Sequence, residues 1–573
     1  MIAAPPATTR APKAVLLARI RDDARARARA LLVARLMIVV YLLELLLNLT
    51  RPHVMPGEPA LSIFMKMPKT TGRLLKSSLN ENGLYDGYNR MMATPRVIFW
   101  AVLAGIVIGA LVQAVGMITR AEGRRAAALT WVTLTAVIGP FSLLTFATLV
   151  SYPLVALACV PSTAAALALL HFCQRFARLP LSTLLFAFGW GALIVYGAGR
   201  VYTGLGITTV YGYMFKGFLN ADGTIADQRL LHDPNALWSY NGKFYRFTDL
   251  LAVHWGVANV LVVAAGVVLA LLLLRHRVTD ALTGLIIGAA IGLGDNFVES
   301  TVFIKVYGSF GSILGSTSGF EFWIRQVVTL FGGTVAWGAL LGAGFGLAAQ
   351  LRRGRLPGPL AARHRLVVAA AFAIAIGGAA SAEILASWLS HLTADGIDAG
   401  TTFDTLVASP GLWLLPQSPF IILAVLVLIV GRRMRAAAAH AAVSAEAASD
   451  AAVSGGVVSG GVVSGAVVSG GAASGGAVFG GAISPPEVPF LTDPALRWWA
   501  VVSTWRSYGR AAAMALIRLQ SAQLDLAGWR FEQQQAGPGE PTAGREEGDR
   551  LRAKVLGLKA SAAATPLRTA ATS

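Results

Sequence analysis

Ten apolar runs, each long enough to cross a bilayer at about 20 residues per span, constrain this chain more than any other feature. They lie at 31–49, 97–119, 127–150, 152–174, 181–204, 250–274, 280–305, 325–350, 366–391 and 411–431. The 573 residues are 55% hydrophobic and only 13% charged, with a mean hydropathy of +0.62, a balance that a soluble chain of this length does not show. The expected fold class is therefore all-α, a polytopic membrane helix bundle of about ten transmembrane helices. Pro140, Pro153 and Pro161 interrupt the third and fourth runs.

The loops give the expected orientation. Arg120, Arg124 and Arg125, then Arg175 and Arg178, then Arg275 and Arg277 stand between alternate pairs of runs. Arg352, Arg353, Arg355, Arg363 and Arg365, and finally Arg432, Arg433 and Arg435, continue the series. The opposite short loops, Ser151 to Pro153, Tyr307 to Gly319 and Thr393 to Ser409, carry no Lys or Arg. Short cytoplasmic loops are the basic ones, so both termini are expected in the cytoplasm of a multi-pass protein of the cell (plasma) membrane. The net charge of +19 is spread over these loops and does not gather on one soluble face, which points to membrane lipids as partners and away from nucleic acid.

Composition divides the chain further. Residues 1–30 form a basic lead, 31–178 a four-helix membrane region, and 179–435 a six-helix membrane core with an external insert at 211–249. In that insert, Asp222-Gly223 and Asn241-Gly242 turns alternate with aromatics, so it reads as a hairpin-type cap or as a plain surface loop. Residues 436–488 are rich in Ala, Gly, Ser and Val and read as a flexible linker. Residues 489–573 hold an amphipathic helix opening at Thr492-Asp493-Pro494, with an apolar stripe from Trp498 through Val502, Trp505, Ala512, Leu516 and Leu519 to Leu526. With Arg497, Arg506, Arg510 and Arg518 nearby, it would lie on the membrane or pack on another cytoplasmic element. A short helix at Arg545 to Lys559 and a disordered tail follow.

Within the core the run from Thr279 to Ile304 is unusual. Gly284, Gly288 and Gly292 recur every four residues and Asp295 and Glu299 continue the same helical stripe. Small residues let a neighbouring helix approach closely, and an ionisable residue at membrane depth is a candidate functional group. Under the expected orientation both acids lie in the outer half, at the depth of Glu44, Arg200, His254, Asn259, Arg325, Glu383 and His391. Unpaired charge is expensive there, so Arg200 or Arg325 is expected against Glu299, Asp295 or Glu383. The layer reads either as a water-filled pocket holding a general base or as a structural ion-pair network. Cys159 and Cys173 fit no disulfide framework, and no His-Glu-x-x-His or other zinc spacing occurs, so cofactor and metal stay open.

These residues bring in a resemblance. DALTGLIIGAAIGLGDNFVES resembles the glycine-spaced helix of the PrsW family of intramembrane proteases, distant relatives of the CAAX prenyl endopeptidases. LPLSTLLFAFGWGALIVY resembles that family's opening helix, and GGTVAWGALLGAGFGLA resembles its histidine-bearing helix, so the likeness runs from Leu179 to about Leu392. It implies that Glu299 stands where the family has its catalytic glutamate, with Asp295 and His254 auxiliary and Glu383 or His391 at the final site helix. The departures are equally specific: no acid occurs between Leu250 and Leu274, where the family carries a Glu-Glu pair, and Thr334 stands in place of a histidine. The implied function is an intramembrane endopeptidase, or its catalytically degraded homologue, acting on a membrane-embedded protein such as a single-span substrate. A non-catalytic membrane scaffold on the same fold is the alternative. A small-ion or solute carrier is a further one, against which the sequence shows no inverted repeat.

Overall fold

The computed structural model describes residues 23–50, 60–64, 84–174, 179–199, 237–240, 243–246, 260–309, 318–352, 364–394, 409–455, 482–483, 487–535 and 543–564, with Ile20 and Val407. It divides into two compact units, residues 1–171 with 180–428 and residues 172–179 with 429–573.

In the first unit every expected apolar run holds a helix. These are α1 (Ala24–Thr50), α2 (Leu84–Ile118), α3 (Gly123–Ile138), α4 (Ser142–Ser151), α5 (Pro153–Phe172) and α6 (Leu181–Trp190). After the insert come α7 (Val260–Leu273), α8 (Ala281–Ser309), α9 (Ser318–Trp323), α10 (Gly333–Arg352), α11 (His364–Ala394), α12 (Ser409–Leu414) and α13 (Ser418–Gly455), which crosses the boundary between the units. Among the described residues six stretches are long and apolar enough to cross a membrane: Ala93–Ile118, Gly123–Ser151, Pro153–Phe172, Leu181–Gly199, Ala281–Lys305 and Ser318–Gln350. Val260–Leu273 and Val368–Ala382 are shorter apolar helices. The prolines act as their positions require. Pro140 sits in a 3₁₀ turn, Gly139–Phe141, between α3 and α4, while Pro153 opens α5.

The span at 281–305 is the centre of this unit. Its apolar window is 83% buried, against 22% for the lipid-facing span at 93–118. Its start is a capping box: the Thr283 amide donates to Asp280 Oδ1 at 2.7 Å, and the Asp280 amide donates to Thr283 Oγ1 at 3.0 Å. The glycine stripe then meets α10 in an antiparallel register. A Cβ added at Gly284 would overlap the Gly342 carbonyl, one at Gly288 the Gly338 carbonyl, and one at Gly292 the Thr334 carbonyl. Backbone touches backbone along this seam, as close-packed membrane helices require.

The insert contains strands in line with its hairpin reading, while part of the expected linker differs. Leu237–Tyr240 and Lys243–Arg246 pair as antiparallel strands. This pair is the exception to an otherwise helical architecture among the described residues. Residues 436–455, expected as flexible linker, continue helix α13, because the stretch is alanine-rich and alanine has the best helix propensity. Residues 456–481 of that linker lie outside the described residues.

In the second unit α14 (Val488–Thr492), α15 (Pro494–Gln535) and α16 (Ala543–Ala564) share a small core. Ile483, Leu491, Leu526 and Val555 are buried in it, and Leu519 and Trp529 pack against it. Glu487 clamps it by accepting from Lys559 Nζ at 2.8 Å and from Gln523 Nε2 at 3.1 Å. The single stripe expected along α15 is cut at Gly509, whose φ of 81° and ψ of 178° are non-helical.

Candidate functional site

The site is built around the second half of α8. Asp295 is 4% exposed, and Glu299, one turn on, is partly buried. Two close approaches wall in the backbone beside Asp295. A Cβ at Gly191 would meet the Ile291 carbonyl and the Asp295 amide, and one at Gly294 would meet the Phe188 carbonyl and the Ala192 amide. Phe188 and Phe297 add a ring contact with centroids 6.0 Å apart. Residues 191–195 form a π-helical turn, an irregularity that is frequent at functional sites.

On the other side of α8 the opposing span is broken. Thr334 Oγ1 donates to the Gly292 carbonyl at 3.2 Å, and the Arg325 guanidinium lies 3.7 Å over the Phe303 ring. Between these two contacts Asp295 and Glu299 lie on α8, and a second π-helical turn, Ile324–Val328, with a loop at Thr329–Gly332 lies opposite them. Gly333 resumes the helix at φ +51°, a left-handed conformation that suits glycine. Irregular backbone at membrane depth is tolerated where protein covers it or where it lines a cavity. Here Gln417 reaches in: the Gly333 amide donates to its Oε1 at 2.8 Å. Gln326, 1% exposed, accepts from Ser162 Oγ at 2.6 Å and ties the break to α5. A small apolar niche of about 10 Å³, lined by Val260, Thr334, Trp337, Ala375 and Ala379 among others, lies between α7, α10 and α11.

The expected charge pairing is corrected at one point. Arg325 Nε donates to Glu321 Oε2 at 3.0 Å, one helical turn away, so Arg325 is held by its own segment and by Phe303. Asp295 and Glu299 are adjacent on α8 as their spacing requires. Glu383 and His391 fall on α11, but their side chains, together with all of Arg200, His254 and Asn259, lie outside the described residues. Glu44 is 1% exposed on α1, and among the described residues neither of its oxygens has a hydrogen-bond partner. Among the described residues no three His, Cys, Asp or Glu side chains come together as metal ligands.

Sequence reasoning did not single out Asp280, Glu321, Gln326 or Gln417. Asp280 carries a readable signal, an acid three residues before Thr283 at a helix start. The glutamines carry none, since their roles depend on contacts between distant parts of the chain. No curated protein and no solved structure matches this chain. The matched family segment begins at residue 254, so it is narrower than the likeness from Leu179 and leaves α6 outside it. The family model described as PrsW family intramembrane metalloprotease matches residues 254–407, and this match supports assigning the chain to the PrsW family.

Proposed function

We propose that this chain is a PrsW-like intramembrane endopeptidase that cleaves a membrane-embedded protein, with Glu299 as the carboxylate that activates water. The observation that supports this best is the position of Glu299. It is partly buried on the most enclosed of the candidate spans, between Gly292 and Phe303, which contact Thr334 and Arg325 on either side of the break in the opposing span. In that role a Glu299 oxygen accepts a proton from water while the water oxygen attacks the scissile carbonyl carbon. The negative charge passes to the carbonyl oxygen, where hydrogen-bond donors must stabilise it. Glu299 then returns the proton to the leaving nitrogen. Asp295, walled in beside it, would position that segment of α8, and His254 and Glu383 are further candidates for the same site.

The family description names a metal. Asp295 and Glu299 offer two carboxylates, Thr334 spends its hydroxyl on the Gly292 carbonyl, and no third acidic, His or Cys ligand joins them among the described residues. The described residues do not by themselves fit a metal centre, and no step above runs through one. The same observation favours a second reading, a non-catalytic homologue that binds a membrane protein through this part of the core. We read the chain as a plasma-membrane protein with ten spans and both termini cytoplasmic, a reading supported by the one-sided distribution of arginines in the short loops, which the longer basic segment from Arg51 to Arg96 does not share.

Co-expression with single-span candidate substrates separates these readings. Cleavage that is lost in Glu299→Gln supports the peptidase. Binding without cleavage, equal in both proteins, supports the non-catalytic homologue.

A further inference from the structure

The first half of α15 is unlike the rest of the second unit. The buried cluster formed by α14, α15 and α16 takes no residue from 494–508. Instead, Trp498 is 68% exposed, Trp499 63%, Trp505 61% and Tyr508 47%. Trp498 and Trp505 stand two turns apart on one line of the helix, with Val501 and Val502 beside it. Arg497 and Tyr508 border this face on one edge, and Trp499 and Arg506 border it on the other. No Asp or Glu occurs between Pro494 and Arg510. The kink at Gly509 separates this face from the half that packs into the core, so the exposed tryptophans are not the edge of that core.

Exposed indoles flanked by arginines suit one environment above others. Tryptophan is favoured at the membrane–water interface, arginine stems extend to the headgroups, and acid-free basic segments are drawn to anionic lipid. A protein partner matched to such a face would have to cover three large indoles and supply acids to the arginines. A lipid surface does both without a specific fit, and the chain that carries this helix is itself membrane-embedded.

We propose that the segment from Pro494 to Tyr508 lies in the headgroup layer of an anionic lipid surface, with Trp498 and Trp505 inserted and Arg497 and Arg506 against the phosphates. This is independent of whether Glu299 is catalytic.

The test uses the full-length protein with Cys159→Ala and Cys173→Ala, reconstituted in nanodiscs. An environment-sensitive fluorophore is attached through Trp505→Cys or, on the opposite side of the helix, through Ser507→Cys. In discs of mixed phosphatidylcholine and phosphatidylglycerol, the probe at 505 is expected to be quenched by lipid-borne nitroxide. The probe at 507 is expected to be quenched by aqueous iodide. Lipid quenching at 505 should weaken in pure phosphatidylcholine and at high salt. Replacing Arg497 and Arg506 by Gln should lower the docked-to-free ratio roughly fivefold per residue. Iodide access at 505 in mixed discs overturns the proposal. So does shielding from both quenchers, which would mean that protein covers the face, and so does equal lipid quenching in both disc types.

Discussion

Glu44 carries the sharpest consequence at the scale of a residue. A buried carboxyl whose two oxygens lack a hydrogen-bond partner among the described residues costs stability. Glu44→Leu is therefore expected to stabilise the protein by roughly 1–3 kcal/mol, read as a higher melting temperature in detergent. A lower melting temperature would show that the carboxyl has a partner. Glu487 is the opposite case, since Lys559 is 6% exposed and depends on it. Glu487→Ala should destabilise the second unit by about 2 kcal/mol, seen as earlier proteolysis of residues 487–564, whereas unchanged proteolysis would contradict the clamp. How much was legible differs between such residues. Spacing alone placed Asp295 and Glu299 on one stripe. It could not pair Arg325, because three acids on other helices were candidates while the partner, Glu321, stands just before the expected run at 325–350.

Among elements, the seam between α8 and α10 was the most legible. Glycines every four residues on α8 predicted a close approach, and backbone contact at Gly284, Gly288 and Gly292 bears it out. Gly288→Leu must push the helices apart, with an expected cost of about 1–3 kcal/mol and loss of any activity that depends on α8. A variant with wild-type stability would refute the seam. The break at Thr329–Gly332 was not legible. Its span reads as one continuous apolar run, and the interruption depends on Gln417, some 84 residues away along the chain, capping the Gly333 amide. Gln417→Leu leaves that amide unsatisfied. Faster hydrogen exchange at residues 329–335 is the expected outcome, and unchanged exchange would show that Gln417 does not hold the break. The alanine-rich stretch after Arg435 misled in the other direction. Low complexity suggested flexibility, yet alanine is also the strongest helix former, and α13 runs on to Gly455.

For the whole molecule, helical membrane architecture followed from hydrophobicity alone, because only helices or closed barrels satisfy the backbone in lipid. The family assignment rests on residues 254–407, the part that contains α8 and the broken span. Within it, Glu299 stands on the most enclosed of the candidate spans, between the two contacts of that helix with the broken span. The central claim is that Glu299 performs the chemistry. The most direct measurement is the cleavage rate of a single-span substrate by the reconstituted full-length protein and by Glu299→Gln, with substrate binding followed in parallel. The account predicts that Glu299→Gln binds as wild type does but cleaves at least about 100-fold more slowly, the scale of a lost general base. Cleavage at the wild-type rate by Glu299→Gln would contradict it.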